Sequence, residues 1–275
     1  MTKIFICYAD HRYKESQNRL VRQARNVGIF DRIIKYTPKD LPDYVKSSPS
    51  FAFSRGGGYM CWKPYIVYHT LENCSEGDIV YYADSGCSLL KDSREWEEFD
   101  NYLSEYSSIF FQYRNGFKYN GWERYCLQED YSPVACKHWS KPTLTNFFLQ
   151  FIDNGFLDYS ELWSGFMIIR KTKTIQIIIE QWFKITLFHP ELVADPYGAE
   201  IENLPDIYYA HRHDQSILTP LVYHYQKQDN ALVLPETSES RIGQPAVLAT
   251  RWIQGKMSWW KKIKFNVWCM IHGES

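Results

Sequence analysis

Short apolar runs of strand length alternate with helix-patterned stretches through most of this 275-residue chain. That alternation limits the possible folds more than any other feature. Lys3 to Tyr8 is a near-continuous apolar run, the pattern of a buried strand. Residues 13–27 then place Leu20, Val21, Ala24 and Val27 on one side and Arg and Gln on the other, which predicts an amphipathic helix ended by Gly28. A second strand is expected over 31–36, and Pro38, Pro42 and Pro49 mark a loop after it. The pattern continues with a helix over 64–73, its proline near the start, a strand over Ile79 to Ala83, an acidic helix over 94–106 and a strand over 108–113. Further helices are expected over 143–152, 174–183 and 214–225, with a strand over 166–169. Strands joined through helices make crossover connections and hence a mostly parallel sheet. The expected fold is therefore α/β: one domain with a mostly parallel sheet flanked by helices. Residues 234–244, rich in Pro, Thr and Ser, read as a linker, dividing a domain over 1–233 from a tail over 234–275.

The chain is long enough for a sizeable core. With 45% hydrophobic and 17% aromatic residues it is not a disordered protein. Its 21 Tyr and 10 Trp suit a carbohydrate handler, because sugars stack their C–H faces on aromatic rings, and they suit a Tyr-rich core equally. A net charge of −1 supplies no basic field for nucleic acid. The seven cysteines are odd in number and include no Cys-x-x-Cys pair, which argues against a disulfide framework or a structural zinc site. Reduced thiols, and a first apolar run too short for a signal peptide or a membrane span, make the cytoplasm the expected location.

The most telling local motif is Gly56-Gly57-Gly58-Tyr59-Met60-Cys61-Trp62-Lys63-Pro64, followed about a helix later by Asp78-Ile79-Val80-Tyr81-Tyr82-Ala83-Asp84-Ser85-Gly86-Cys87. Glycines allow close backbone approach to a ligand. Arg55 and Lys63 flank backbone N–H groups that can bind anions, so Lys63 is expected at a phosphate. Trp62 fits either a donor site or simple packing on the sheet. Asp84, at a strand's carboxyl end, can meet a cation or a sugar hydroxyl, or merely cap its turn. Ser85 and Gly86 in the same turn, with Tyr8 ending the first strand, complete the expected donor set of Tyr8, Arg55, Gly57, Gly58, Trp62, Lys63, Asp84, Ser85 and Gly86. The loop is neither a Walker loop nor the Gly-x-Gly-x-x-Gly dinucleotide fingerprint.

A second cluster, His211-Arg212-His213-Asp214-Gln215-Ser216, opens a helix. Asp214 can cap that helix, or stabilise positive charge on a reacting sugar with Gln215 fixing its orientation. Arg212 can offset diphosphate charge, and a histidine here can bind metal or phosphate. Trp163-Ser164-Gly165 precedes a strand and offers a floor for an acceptor sugar, or a packed aromatic. The tail from Arg251 carries Ile253, Met257, Trp260, Ile263, Val267 and Ile271 on one helical stripe, with Lys256 and Lys264 interrupting it. Lysines mixed with tryptophan suit a helix lying on a membrane surface, or one docked on the protein itself.

Taken together, the glycine turn with Trp62-Lys63-Pro64-Tyr65, the run Gly77 to Cys87, Trp163-Ser164-Gly165-Phe166 and His213-Asp214-Gln215-Ser216 resemble bacterial and viral polysaccharide glycosyltransferases of the GT-A fold. The resemblance covers roughly residues 1–225, and the tail lies outside it. It implies a Rossmann-like domain that takes a nucleotide-sugar, a UDP-sugar above all, and glycosylates a glycan or lipid-linked acceptor in surface polysaccharide synthesis. By that likeness Asp214 and Gln215 are catalytic, and the Asp-Gln pair resembles one in retaining transferases. Asp84 would take the first position of the family's Asp-x-Asp metal motif, with Mn2+ or Mg2+ as the ion; a histidine, His211 or His213, would then be a further ligand, or the enzyme would depend only weakly on metal. The third position here is Gly86, not Asp. That missing carboxylate supports a competing expectation, a carbohydrate or nucleotide-sugar binder without catalysis. A glycoside hydrolase would instead need two carboxylates at a fixed separation.

Overall fold

The structure, a computed structural model, describes residues 1–117, 119 and 133–251. Its strands are β1 (Lys3–Tyr8), β2 (Arg32–Tyr36), β3 (Ile79–Ala83), β4 (Ser88–Leu89), β5 (Ser108–Gln112), β6 (Phe166–Arg170), β7 (Ala231–Pro235) and β8 (Val247–Leu248). Its longer helices are α1 (Lys14–Val27), α2 (Trp62–Glu72), α3 (Glu95–Glu105), α4 (Pro142–Phe148), α5 (Lys173–Phe188) and α6 (Asp214–Asp229). Six strands form one sheet in the order β2-β1-β3-β6-β5-β7. The pairs β1–β2, β1–β3 and β5–β7 are parallel, and β6 runs against its neighbours β3 and β5. This is the mostly parallel, helix-flanked α/β sheet expected from the sequence.

Both faces of the sheet are covered, which is why its central strands read as continuous apolar runs rather than alternating ones. The period of two sends Phe5 and Cys7 of β1 with Tyr81 of β3 to one face. There they pack with Leu20 and Ala24 of α1 and Trp96 and Phe99 of α3. Ile4 and Ile6 with Val80 and Tyr82 go to the other face, against Ile66 of α2, Ile178 and Trp182 of α5 and Leu218 of α6.

The chain leaves β1 through α1 on one face to reach β2, then returns through α2 on the other face to β3. Its direction of travel across the sheet therefore reverses at β1 and β3. Strands that part in this way open a crevice at their carboxyl ends.

Helix α1 closes where the sequence placed its end, while other boundaries differ from the sequence reading. Helix α1 ends at Gly28, whose φ of +78° supplies the left-handed cap. Helix α2 starts at Trp62, with Pro64 in its first turn, where an N–H has no partner to lose. Helix α4 stops at Phe148, and α5 runs on to Phe188.

Strand β7 was not expected. It is a short apolar run, Ala231-Leu232-Val233-Leu234, half-buried at the sheet edge and ended by Pro235. The stretch 234–244, linker-like in composition, instead carries the end of β7 and a fully buried Glu236 that accepts from Tyr119 Oη at 2.6 Å. Strand β8 then pairs antiparallel with β4 and returns the chain to the sheet's carboxyl-end side. The proposed tail helix lies outside the described residues. Among the described residues no helix is long and apolar enough to cross a membrane, and the described cysteines Cys7, Cys61, Cys74, Cys87 and Cys136 are free thiols.

Candidate functional site

At the crevice predicted by the strand order lies a cleft of about 400 Å³. Tyr8 and Asp84 stand at the ends of β1 and β3, and Gly56, Gly57 and Trp62 line the cleft with them. Ser85 and Gly86 complete the floor, while Asp10, Arg12, Tyr13 and Arg251 add polar groups at the rim. The Trp62 ring stacks on Tyr8 with centroids 4.0 Å apart, and its Nε1 donates to the Gly56 carbonyl at 3.0 Å. Ser85 Oγ donates to the Tyr8 carbonyl at 2.6 Å, tying the two strand ends together.

The glycine turn is shaped by what it passes. A Cβ on Gly58, at φ +84°, would lie 2.6 Å from Phe51 Cα and 2.8 Å from the Ser50 carbonyl oxygen, so no other residue fits there. Gly58 is thus structural and buried, whereas Gly56 and Gly57 line the cleft.

Beneath the cleft, Lys63 is 3% exposed and occupied internally. Its Nζ lies 3.4 Å from Asp84 Oδ1 and 3.2 Å from Asp214 Oδ2. It also donates to Ser164 Oγ at 3.1 Å and to the Ser164 carbonyl at 3.4 Å. Lys63, expected at a donor phosphate, therefore sits under the cleft rather than in it. Burial alone would make the ammonium easier to deprotonate, but Asp214 and Asp84 outweigh it and hold the Lys63 pKa above its ordinary value.

Asp84 accepts from the Tyr82 hydroxyl and keeps its side chain 40% exposed toward the cleft. Its own N–H donates to the Gly165 carbonyl at 2.9 Å, which locks the turn against β6. Asp214, the first residue of α6, is 1% exposed. Burial pushes its carboxyl up to about 6, with Lys63 opposing and the Asp84 charge adding to the rise. Its Oδ1 is buried with no hydrogen-bond partner. Gln215 Oε1 accepts from the Ser164 N–H at 3.3 Å. The Asp84, Ser164, Asp214 and Gln215 brought together here come from three separate stretches of sequence.

Other expected residues lie elsewhere. Arg55 pairs with Asp195 at 2.6 Å. His213 makes a 2.8 Å contact from Nδ1 to the Val193 carbonyl, and its ring packs on Tyr59. Its Nε2 faces Asp195 at 3.8 Å, and burial lowers its pKa to about 4. Arg212 lies over the Trp139 ring at 4.5 Å. Trp163 is 5% exposed in the core, so its ring offers no open floor. Ser164 and Gly165 face Lys63 and Asp84 instead.

Sequence reasoning missed Asp10, Arg12 and Arg251. It also missed Glu161, wholly buried, which burial pushes up to about 7 against the Cys136, Ser216 and Arg212 groups around it. Only Asp10 had a possible signal, as an acid two residues beyond a strand end.

The residues present do not fit a divalent ion held by the protein. Asp84 Oδ1 already meets Tyr82 and Lys63. The other cleft carboxylate, Asp10, accepts from Arg12 Nε at 2.9 Å and from the Arg12 and Tyr13 backbone N–H groups. His213 is turned to Val193 and Asp195. Among the described residues no three His, Cys, Asp or Glu side chains form a ligand group.

Fold and cleft together define an α/β protein with a ligand crevice at a topological switch point. The sequence matches no family model and no curated protein sequence. Among solved structures it is similar to a glycosyltransferase involved in the glycosylation of the major capsid of PBCV-1. That likeness has 10% identity, 86% coverage of this chain, 84% of the other and a TM-score of 0.43. It is similar to mouse xyloside xylosyltransferase 1 at 11% identity, covering 86% of this chain and 85% of that one, with a TM-score of 0.40. It is also similar to the glycosyltransferase GlyE of Streptococcus pneumoniae at 12% identity, covering 100% of this chain and 63% of that one, with a TM-score of 0.45. At identities this low, the chemistry must be argued from this chain's own residues.

Proposed function

We propose that this protein is a nucleotide-sugar-dependent glycosyltransferase of the GT-A type. It moves a sugar from a UDP-sugar to a glycan or lipid-linked acceptor in surface polysaccharide synthesis. The observation that carries this reading is the position of the cleft: Asp84, an aromatic wall and two guanidinium groups meet at the switch point between β1 and β3. A base stacks on Trp62, which Tyr8 backs from behind. The diphosphate lies toward Arg12 and Arg251, whose planar forks suit phosphate oxygens and offset charge on the leaving group. Gly57 lets the backbone come close. Asp84 accepts from sugar hydroxyls. Asp214, joined to Asp84 through Lys63 and buried beneath the cleft, supplies negative charge under the place where positive charge develops at the anomeric carbon, and Gln215 steadies Ser164 beside it. The Asp214-Gln215 pair, which resembles one in retaining transferases, leans the reading to retention, in which the departing phosphate takes the acceptor proton. A cytoplasmic enzyme with peripheral membrane contact through residues 251–271 belongs to the same reading, and liposome binding with and without the tail tests that part.

The test is nucleoside diphosphate release across a panel of nucleotide-sugars. Release of UDP that rises with added glycan acceptor is expected. Asp84→Asn should lower it about tenfold to a thousandfold, the range for losing an electrostatic stabiliser. No release from any donor would remove the assignment.

A further inference from the structure

Lys63 Nζ has four oxygen neighbours, all between 3.1 and 3.4 Å: one from Asp84, one from Asp214 and two from Ser164. Two carboxylates, a hydroxyl and a carbonyl are the ligand chemistry that hard divalent ions choose. Here an ammonium fills the middle of that set. It is delivered by the first turn of α2, and its partners come from the end of β3, the start of β6 and the first residue of α6. Four elements of the fold thus converge on one nitrogen.

We infer that the Lys63 ammonium is the resident cation of this centre, standing where an oxygen-bound divalent ion would otherwise sit, so that nucleotide binding in the adjoining cleft needs neither manganese nor magnesium. The inference rests on the nucleotide-sugar reading above and narrows it. A divalent ion on Asp84 would sit close to a fixed positive charge that already shares Oδ1, and the two would repel. Asp10 offers no relief, because both of its oxygens are taken by Arg12 and by backbone amides. The positive charge that a diphosphate needs is already available at the cleft rim on Arg12 and Arg251. A lysine point charge, unlike an ion, does not exchange with solvent or depend on metal supply.

Two measurements test this. In the first, UDP is titrated into the wild-type protein by calorimetry with manganese, with magnesium and with EDTA. The three affinities should agree within about threefold, and a larger gain with either metal overturns the inference. In the second, manganese alone, without nucleotide, is added during thermal unfolding of wild type and of Lys63→Ala. Removing the ammonium opens the oxygen set, so manganese should raise the melting temperature of the variant and leave wild type unchanged. A wild-type shift overturns the inference, as does a folded variant that ignores manganese. If Lys63→Ala does not fold, the wild-type arms still decide. If UDP binds under no condition, the proposed function fails, and the manganese-alone arm on wild type still answers the cation question.

Discussion

Lys63 Nζ and Asp214 Oδ2 lie 3.2 Å apart with 3% and 1% of their residues exposed, a buried ion pair at the base of the cleft. Breaking such a pair from one side leaves a buried charge without its partner. Lys63→Met should therefore destabilise the protein by about 3–5 kcal/mol. The double variant Lys63→Met/Asp214→Asn should recover part of that loss, because the stranded charge is gone. Urea unfolding of the four proteins in the cycle measures it. Additive effects would mean that the two side chains do not depend on each other.

Asp214 titrates within reach of ordinary assay conditions, since burial, against the pull of Lys63, pushes its carboxyl up to about 6. The proposed role needs the charged form. Activity should thus fall as pH drops through about 6, and Asp214→Asn should lose both that limb and most of kcat while still binding nucleotide. Helix α6 has His213 at its cap and no capping bond from Asp214, so the competing role is that of a purely structural partner of Lys63, whose loss would cost stability and leave kcat per folded molecule unchanged. A pH–rate profile of both proteins separates the two roles, and near-wild-type kcat in the variant would end the catalytic assignment.

Arg251 reaches the cleft because β8 pairs with β4 and Thr250 Oγ1 donates to the Gly86 carbonyl at 2.7 Å. Its guanidinium is held by Glu239 at 2.7 Å, yet the side chain stays 61% exposed beside Asp84's turn. Arg251→Gln should weaken UDP binding about tenfold, as expected for one charge-assisted phosphate contact, and binding should lose part of its salt sensitivity. Calorimetry at two ionic strengths checks this, and unchanged affinity would remove Arg251 from the site.

What the sequence disclosed follows from how local each signal was. Strands β1, β3 and β6 are buried on both faces, so their apolar runs were plain. Strand β7 borders the sheet beside β5, is short and half-buried, and its last two residues fall in the Pro-, Thr- and Ser-rich stretch 234–244 that read as a linker. Asp84, Tyr8, Trp62 and Gly57 were legible as a group because strand ends and a glycine turn announce a crevice. Arg12 and Arg251 were not, since nothing local marks two arginines that meet only after folding. Lys63 shows the opposite failure. A lysine after a glycine turn looks like a phosphate ligand, and no spacing reveals that residues 84, 164 and 214 converge on it. Trp163 misled likewise: a tryptophan beside Ser and Gly reads as a sugar platform until the core is seen to close over it.

Gly58 is the turn residue on which the wall of the cleft depends. At φ +84°, with Phe51 Cα 2.6 Å from any added Cβ, Gly58→Ala combines backbone strain with overlap. A loss of at least about 2 kcal/mol is expected. Thermal and urea unfolding read it out, and a variant as stable as wild type would show that the turn can shift without cost.

The central claim is that the nucleotide binds between Tyr8, Asp84 and Arg251 at the carboxyl ends of β1 and β3. A crystal structure with UDP bound tests it most directly. A broader cavity of about 710 Å³ lies at the opposite ends of the strands, lined by Met1, Lys3, Asp100 and Arg170, so the experiment has two distinct places to choose between. The account predicts the base against Trp62 and the diphosphate toward Arg12 and Arg251. Nucleotide in the cavity beside Lys3 and Arg170, or none in either place at saturating UDP, would contradict it.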